Sequence, residues 1–216
     1  MTTPIAVLLS GRGSNFVALH EAISRGEVPA RIALVVSNLE SVPGLRRADE
    51  LGLPTAAIPH AREPSRAAHE RKVLAALAAS GAQWICLAGY MRLLSADFVR
   101  RFERRILNVH PSLLPAFPGL AAQRQALQAG VKVAGCTVHF VDEGLDSGPI
   151  VVQRAVPVRD ADNEVALAAR ILVEEHRAYP EALRRLLAER WRIIGRRVVF
   201  DTGAGGENDG EPTGWT

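Results

Sequence analysis

Ile5-Ala6-Val7-Leu8-Leu9-Ser10-Gly11-Arg12-Gly13-Ser14-Asn15 decides the fold. Five consecutive apolar residues read as a strand covered on both faces, because a half-exposed strand would alternate. The Gly/Ser turn opens a helix over 15–25. A buried strand running through a tight turn into a helix is the first unit of a βαβ fold. The same turn suits an anion: free N–H groups at a helix start point outward, and the helix dipole favours negative charge there. Glycines let a phosphate approach the backbone, and Ser14 and Asn15 add donors. Phe16 stands where a dinucleotide fingerprint needs its third Gly, and no Lys-Ser/Thr follows as in a Walker loop. A phosphomonoester fits better than ATP. The alternative is a plain strand-to-helix turn with Ser14 as N-cap.

The alternation continues outward. Strands are expected over 32–36, 55–58, 84–88 and 106–109, and helices over 44–51, 66–79 and 96–102. The pattern then changes. A helix over 123–129 ends at Gly130, and runs 135–141 and 150–158 read as an antiparallel pair joined by an Asp/Gly loop. Asp162-Asn163 can cap a long helix to about 189, which Tyr179-Pro180 should bend or interrupt. Residues 193–194 and 198–200 can form a hairpin around Gly195-Arg196. The fold class is therefore α/β: a Rossmann-like, doubly wound, mostly parallel sheet with helices on both faces and a C-terminal antiparallel extension. One domain over 1–201 is expected, with a phosphate-binding half to about 105 and a catalytic part over 106–201. From Thr202 the composition predicts a disordered tail.

Composition narrows the function. At 216 residues and 48% apolar, the chain can bury a full core, and 5% aromatics make it aliphatic. The net charge is +3, and nearly all basic residues are Arg. Scattered Arg is either a solvated surface or a grip for an anionic substrate. No basic block is dense enough for a nucleic acid partner. Cys86 and Cys136 sit in apolar runs and read as buried neutral thiols. The N-terminus does not read as a signal peptide, and no apolar run spans a membrane, so a cytoplasmic protein is expected. No His/Asp/Glu grouping has metal spacing, so no metal is expected.

The chemistry concentrates in Asn108-Val109-His110-Pro111-Ser112-Leu113-Leu114-Pro115 and Asp142-Glu143-Gly144-Leu145-Asp146-Ser147-Gly148-Pro149. Strand alternation puts Asn108 and His110 on one face, at the strand end where open parallel sheets bind ligands. Asn108 can hold an oxyanion with its side-chain N–H. Asp146 can pair with His110 and favour its cation, which would then stabilise developing charge and protonate a leaving nitrogen. The competing reading is a structural His at a strand end. Amide, imidazole and carboxylate together suit acyl transfer between nitrogens.

The chain resembles the phosphoribosylglycinamide formyltransferase family over about 5–186. The carriers are Leu9 to Asn15, Leu87-Ala88-Gly89-Tyr90-Met91-Arg92, Asn108 to Pro115, Gly135-Cys136-Thr137-Val138-His139-Phe140-Val141, Asp142 to Pro149, and Glu174-Glu175-His176. The resemblance implies formyl transfer from 10-formyltetrahydrofolate, a cosubstrate, to the amine of 5'-phosphoribosylglycinamide in purine synthesis. It implies Asn108, His110 and Asp146 as catalytic residues. Gly13, Ser14, Asn15, Leu172, Val173, Glu174 and Glu175 would hold the phosphoribosylglycinamide, with Glu175 at its amine end. Arg66, Met91, Arg92, Leu93, Leu94, Asn108, Asp142, Glu143, Gly144, Leu145 and Asp146 would hold the folate. A cis bond before Pro115 is also implied. Small-molecule partners are expected, with the chain a monomer or homodimer and no nucleic acid or membrane partner.

The chain departs from the family after Pro118-Gly119-Leu120. Many relatives carry histidines there, and this chain has Ala121-Ala122-Gln123-Arg124. Gln123 hydrogen-bonds but does not titrate near neutrality. His20, His60 and His69 have polar neighbours and read as surface residues. His139 reads as either a core hydrogen-bonder or a support to the site. Three rivals remain. A formyltetrahydrofolate hydrolase usually carries an N-terminal regulatory domain, and a methionyl-tRNA formyltransferase needs a C-terminal RNA-binding domain. A weakened binding protein rests on Gln123 alone.

Overall fold

The computed structural model describes residues 2–201; the expected tail from Thr202 lies outside the described residues. At its centre is β1 (Thr3–Leu9). Ile5, Val7 and Leu9 join one core with Phe16 and Leu19 of α1 (Ser14–Ser24). Ala6 and Leu8 join a second core with Val73 and Leu77 of α3 (Arg66–Ser80). Alternate residues serve opposite faces, and both faces are covered, so the run is apolar throughout. Each Leu or Ile fully buried there contributes roughly 1.5–3 kcal/mol.

The other strands are β2 (Ala30–Ser37), β3 (Thr55–Ala57), β4 (Trp84–Leu87), β5 (Ile106–His110), β6 (Val133–Phe140), β7 (Ile150–Pro157), β8 (Trp191–Ile194) and β9 (Arg197–Phe200). They form one nine-stranded sheet in the order β3-β2-β1-β4-β5-β6-β7-β9-β8. Strands β1 to β5 are parallel, and β6 and β7 continue antiparallel. Order reverses beside β1, which pairs with both β2 and β4. That switch point opens a crevice at the strand ends. The remaining helices are α2 (Pro43–Glu50), α4 (Ala96–Arg101), α5 (Ala122–Gln128) and α6 (Glu164–Ala188). The expected parallel sheet with an antiparallel extension is present.

Three local expectations are corrected. Helix α6 runs unbroken through Pro180. Proline inside a helix costs about 3 kcal/mol, but Leu167, Ile171, Ala178, Tyr179, Ala182, Leu183 and Leu186 of this helix are buried in the core. Their burial outweighs one lost hydrogen bond. His69 is 2% exposed, not a surface residue; its Nε2 lies 2.9 Å from the Ile58 carbonyl oxygen, and burial pushes its pKa down. His20 and His60 are half-buried. Ser14 is the first helical residue, while Gly13, at φ 74°, occupies the N-cap without a side-chain bond.

Cys86 and Cys136 are buried free thiols, each pushed up to about 12 by burial. The Leu114–Pro115 peptide is cis. Hairpin β8–β9 turns at Gly195-Arg196 and meets β7 where Ile150 pairs Arg197. The hydroxyl of Tyr179, on α6, lies 3.0 Å from the carbonyl oxygens of both Leu87 and Leu107. It thereby joins α6 to two adjacent parallel strands.

Candidate active site

The loop expected to hold a phosphate follows β1 directly. A Cβ on Gly13 would sit 3.0 Å from Cα of Gly44, and the Gly44 amide donates to the Gly11 carbonyl at 3.0 Å. The start of α2 therefore seats the loop against the start of α1. Only glycine meets both the left-handed backbone and the close approach. The first turn of α1 directs its free amides outward. Asn15 Nδ2 donates to Glu175 Oε2 at 2.6 Å, and both side chains are buried. Burial pushes the Glu175 carboxyl up, and the Asn15 bond partly offsets this. Among the described residues, the buried Asn15 Oδ1 has no hydrogen-bond partner.

The four residues from Leu172 to Glu175 do not share one face, because consecutive helical residues point around the axis. Glu175 reaches Asn15. Val173 is half exposed, and Leu172 is half-buried. Glu174 instead pairs with Arg177 at 2.8 Å and Arg154 at 3.4 Å.

The expected catalytic residues lie on β5 and in the loop between β6 and β7, beside β6. Asn108 pairs in register with His139, and His110 with Thr137. His110 Nδ1 is 3.3 Å from Asp146 Oδ2, and its Nε2 is 2.9 Å from the Phe117 carbonyl oxygen. Both partners only accept, so both contacts are satisfied when both ring nitrogens carry hydrogen. Asp146 Oδ2 also accepts from the Gly119 amide at 2.8 Å. The carboxylate is thus fixed from two sides, with its backbone left-handed at φ 50°.

His139 is a buried hydrogen-bonder that also contacts Asn108. It is 1% exposed, and its Nδ1 lies 2.8 Å from the Phe140 carbonyl oxygen. That bond puts the hydrogen on Nδ1. Burial pushes its pKa down, so the ring is neutral and Nε2 is an acceptor. Asn108 Nδ2 donates to it at 3.2 Å. His139 thereby fixes which end of the Asn108 amide carries hydrogens and leaves one N–H free. The sequence offered His139 as a core hydrogen-bonder or a support to the site; its particular pairing with Asn108 depends on strand register.

The expected folate residues fall in two loops, with Asn108 on β5 and Arg66 on α3 apart from them. Met91 and Leu93 are about two-thirds exposed, Leu145 is 56% exposed, and Arg92 and Leu94 are half-buried. Asp142 Oδ1 accepts from the Gly144 amide and the Ser147 hydroxyl, which folds the second loop on itself. Glu143 turns outward to Arg100 at 2.9 Å. Arg66 begins α3, largely exposed, 4.0 Å from Glu70. Gln123 lies half-buried in the first turn of α5. Among the described residues, no group of three or more His, Cys, Asp or Glu could hold a metal ion, and no helix is long and apolar enough to cross a membrane.

A mostly parallel sheet with a Gly-rich loop at its switch point, and Asn108 and His110 on β5 meeting Asp146 from the loop between β6 and β7, suit a group-transfer enzyme of the Rossmann-like type. The Formyl transferase family profile matches residues 3–183, and the chain belongs to that family. Phosphoribosylglycinamide formyltransferase of Bacillus subtilis (strain 168) is 40% identical over 182 residues, which are 84% of this chain and 93% of that protein. Trifunctional purine biosynthetic protein adenosine-3 of Drosophila pseudoobscura pseudoobscura is 50% identical over 181 residues. These are 83% of this chain and 13% of that protein, so the chain spans a small part of such trifunctional relatives. The crystal structure of glycinamide ribonucleotide transformylase 1 from Symbiobacterium toebii matches with a TM-score of 0.90 and 50% identity, covering 92% of this chain and 94% of that one.

Proposed function

We infer that this chain transfers a formyl group from 10-formyltetrahydrofolate to the amine of 5'-phosphoribosylglycinamide. The carrying observation is the His110–Asp146 contact at 3.3 Å, with Asn108 oriented beside it, in a member of this family. Residues 1–201 act as one formyltransferase unit, free in the cytoplasm, with the nucleotide bound mainly by the first half.

The phosphate sits on the amides of Gly13, Ser14 and Asn15, and the uncharged or charged Glu175 meets the sugar-glycinamide end. The donor lies against Met91, Arg92, Leu93 and Leu94 on one side and Asp142 to Asp146 on the other, with Arg66 reaching its outer end. The neutral amine attacks the formyl carbon, forming a C–N bond. The carbonyl electrons move onto oxygen. The free N–H of Asn108 and the imidazolium of His110 stabilise that oxyanion; the formyl oxygen competes with the Phe117 carbonyl for the Nε2 hydrogen. Asp146, directly or through water, accepts the proton lost by the amine. The oxyanion then collapses back to a carbonyl, and the bond from carbon to N10 breaks. N10 takes a proton from the His110 imidazolium, which regains the amine's proton from Asp146, and tetrahydrofolate leaves. Each such electrostatic contact is worth a few kcal/mol in a pre-arranged site.

The test mixes the protein with 10-formyltetrahydrofolate and 5'-phosphoribosylglycinamide and follows tetrahydrofolate release. Release that needs both substrates supports the inference. Release without the ribonucleotide indicates a hydrolase, and no release indicates a binding protein.

A further inference from the structure

Ser10 sits at the end of β1, between the loop that opens α1 and the loop after β4. Its hydroxyl lies 2.5 Å from Asn38 Oδ1 and 2.8 Å from the Met91 amide nitrogen. A hydroxyl carries one hydrogen. The Met91 N–H can only donate, so the Ser10 hydrogen goes to Asn38 and its lone pair to Met91. The Ser10 amide also donates to the Gly89 carbonyl at 3.0 Å. Asn38 is 3% exposed at the end of β2, with Nδ2 turned towards His60 Nδ1 at 3.2 Å. One hydroxyl therefore joins the ends of three adjacent strands, β2, β1 and β4.

We propose that Ser10 is a positioning residue for the formyl donor, which ties the loop carrying Met91 and Leu93 to the phosphate loop. This rests on the reading above that these residues bind the donor. Both side chains are about two-thirds exposed, so side-chain packing holds them weakly and the backbone anchor sets their place. The same bond engages the Met91 N–H, so that amide is not a donor to the pterin, and the loop must use its later backbone groups. The link also brings the two substrates' loops close along the chain: Ser10 anchors the donor loop, and the proposed phosphate cradle begins soon after it, at Gly13.

Ser10→Ala removes the acceptor of Met91 and the donor to Asn38. The donor KM should rise roughly tenfold, as for one lost buried hydrogen bond, while the KM for 5'-phosphoribosylglycinamide stays within about twofold, too small to register as a lost bond. A purely structural role would lower Tm and move both constants together. Unchanged donor KM, or equal rises in both, overturns the proposal. Amide hydrogen exchange on the unaltered protein tests the link without a variant. Met91 should be protected, and exchange at the rate of an unstructured chain also overturns it. If the unaltered protein releases no tetrahydrofolate in the two-substrate assay, the functional reading fails instead; activity with a normal donor KM in Ser10→Ala defeats this proposal alone.

Discussion

The two halves of the proposed site are built from different materials. On the proposed nucleotide side, the loop after β1 offers mainly backbone, shaped by glycine and the start of a helix. On the proposed transfer side, buried His110 and His139 and half-buried Asn108 and Asp146 form a linked side-chain cluster. A main-chain cradle should tolerate loss of one side chain. A linked side-chain cluster should not, because buried polar networks fail when half satisfied.

The sharpest way to break this contrast is Asp146→Asn. Turnover should fall by roughly 10²–10⁴-fold, the usual range for a positioned acid or base, while a thermal melt shows an intact fold. Turnover near that of the unaltered protein would remove Asp146 from the mechanism. Next comes the pair Ser14→Ala with Asn15→Ala. Ribonucleotide affinity by calorimetry should weaken about 10–100-fold, as for one charged hydrogen bond, and donor affinity should change less. Equal losses would mean that the cradle does not hold the phosphate.

Gly13→Ala tests the backbone itself. The left-handed conformation at φ 74° should cost about 1–2 kcal/mol. For a chain of this size that lowers Tm by roughly 2–8 °C, with ribonucleotide KM rising more than donor KM. An unchanged melt would show that the loop relaxes freely. The smallest effect is expected at Glu175. Burial lifts its folded-state pKa above the unfolded value of 4.5. Between those values the folded chain holds the extra proton, so stability falls as pH rises, and the loss persists above the folded value. Glu175→Gln escapes this loss. It should raise Tm at neutral and alkaline pH and give no gain below 4.5. A gain that is equal across that range would place its cause outside the carboxyl's titration.

The same contrast explains what the sequence disclosed. Apolar runs and glycine punctuation reveal β1, the turn and α1, because strand burial and turn geometry are local. Asn108 and His110 are legible by alternation along one strand. For His139 both candidate roles are legible but its partner is not, because that depends on the Asn108–His139 register across an antiparallel pair. Ser10 and Met91 are 81 positions apart, and nothing in either neighbourhood announces their bond. His69 misleads for a related reason: its chain neighbours are polar, but the fold turns its own side of α3 inward. Pro180 misleads because a local penalty is outweighed by packing along the whole of α6.

Tyr179 gives the molecule an optical signature. Burial drives its phenol well above the ordinary value, and burial also lifts Tyr90, the chain's other tyrosine, to about 12. An alkaline titration followed in the ultraviolet should therefore stay silent through the range near 10 where free tyrosine ionises. Phenolate from Tyr179 should appear only when the grip on Leu87 and Leu107 lets go, so its absorbance would report collapse of the whole sheet rather than loosening of one loop.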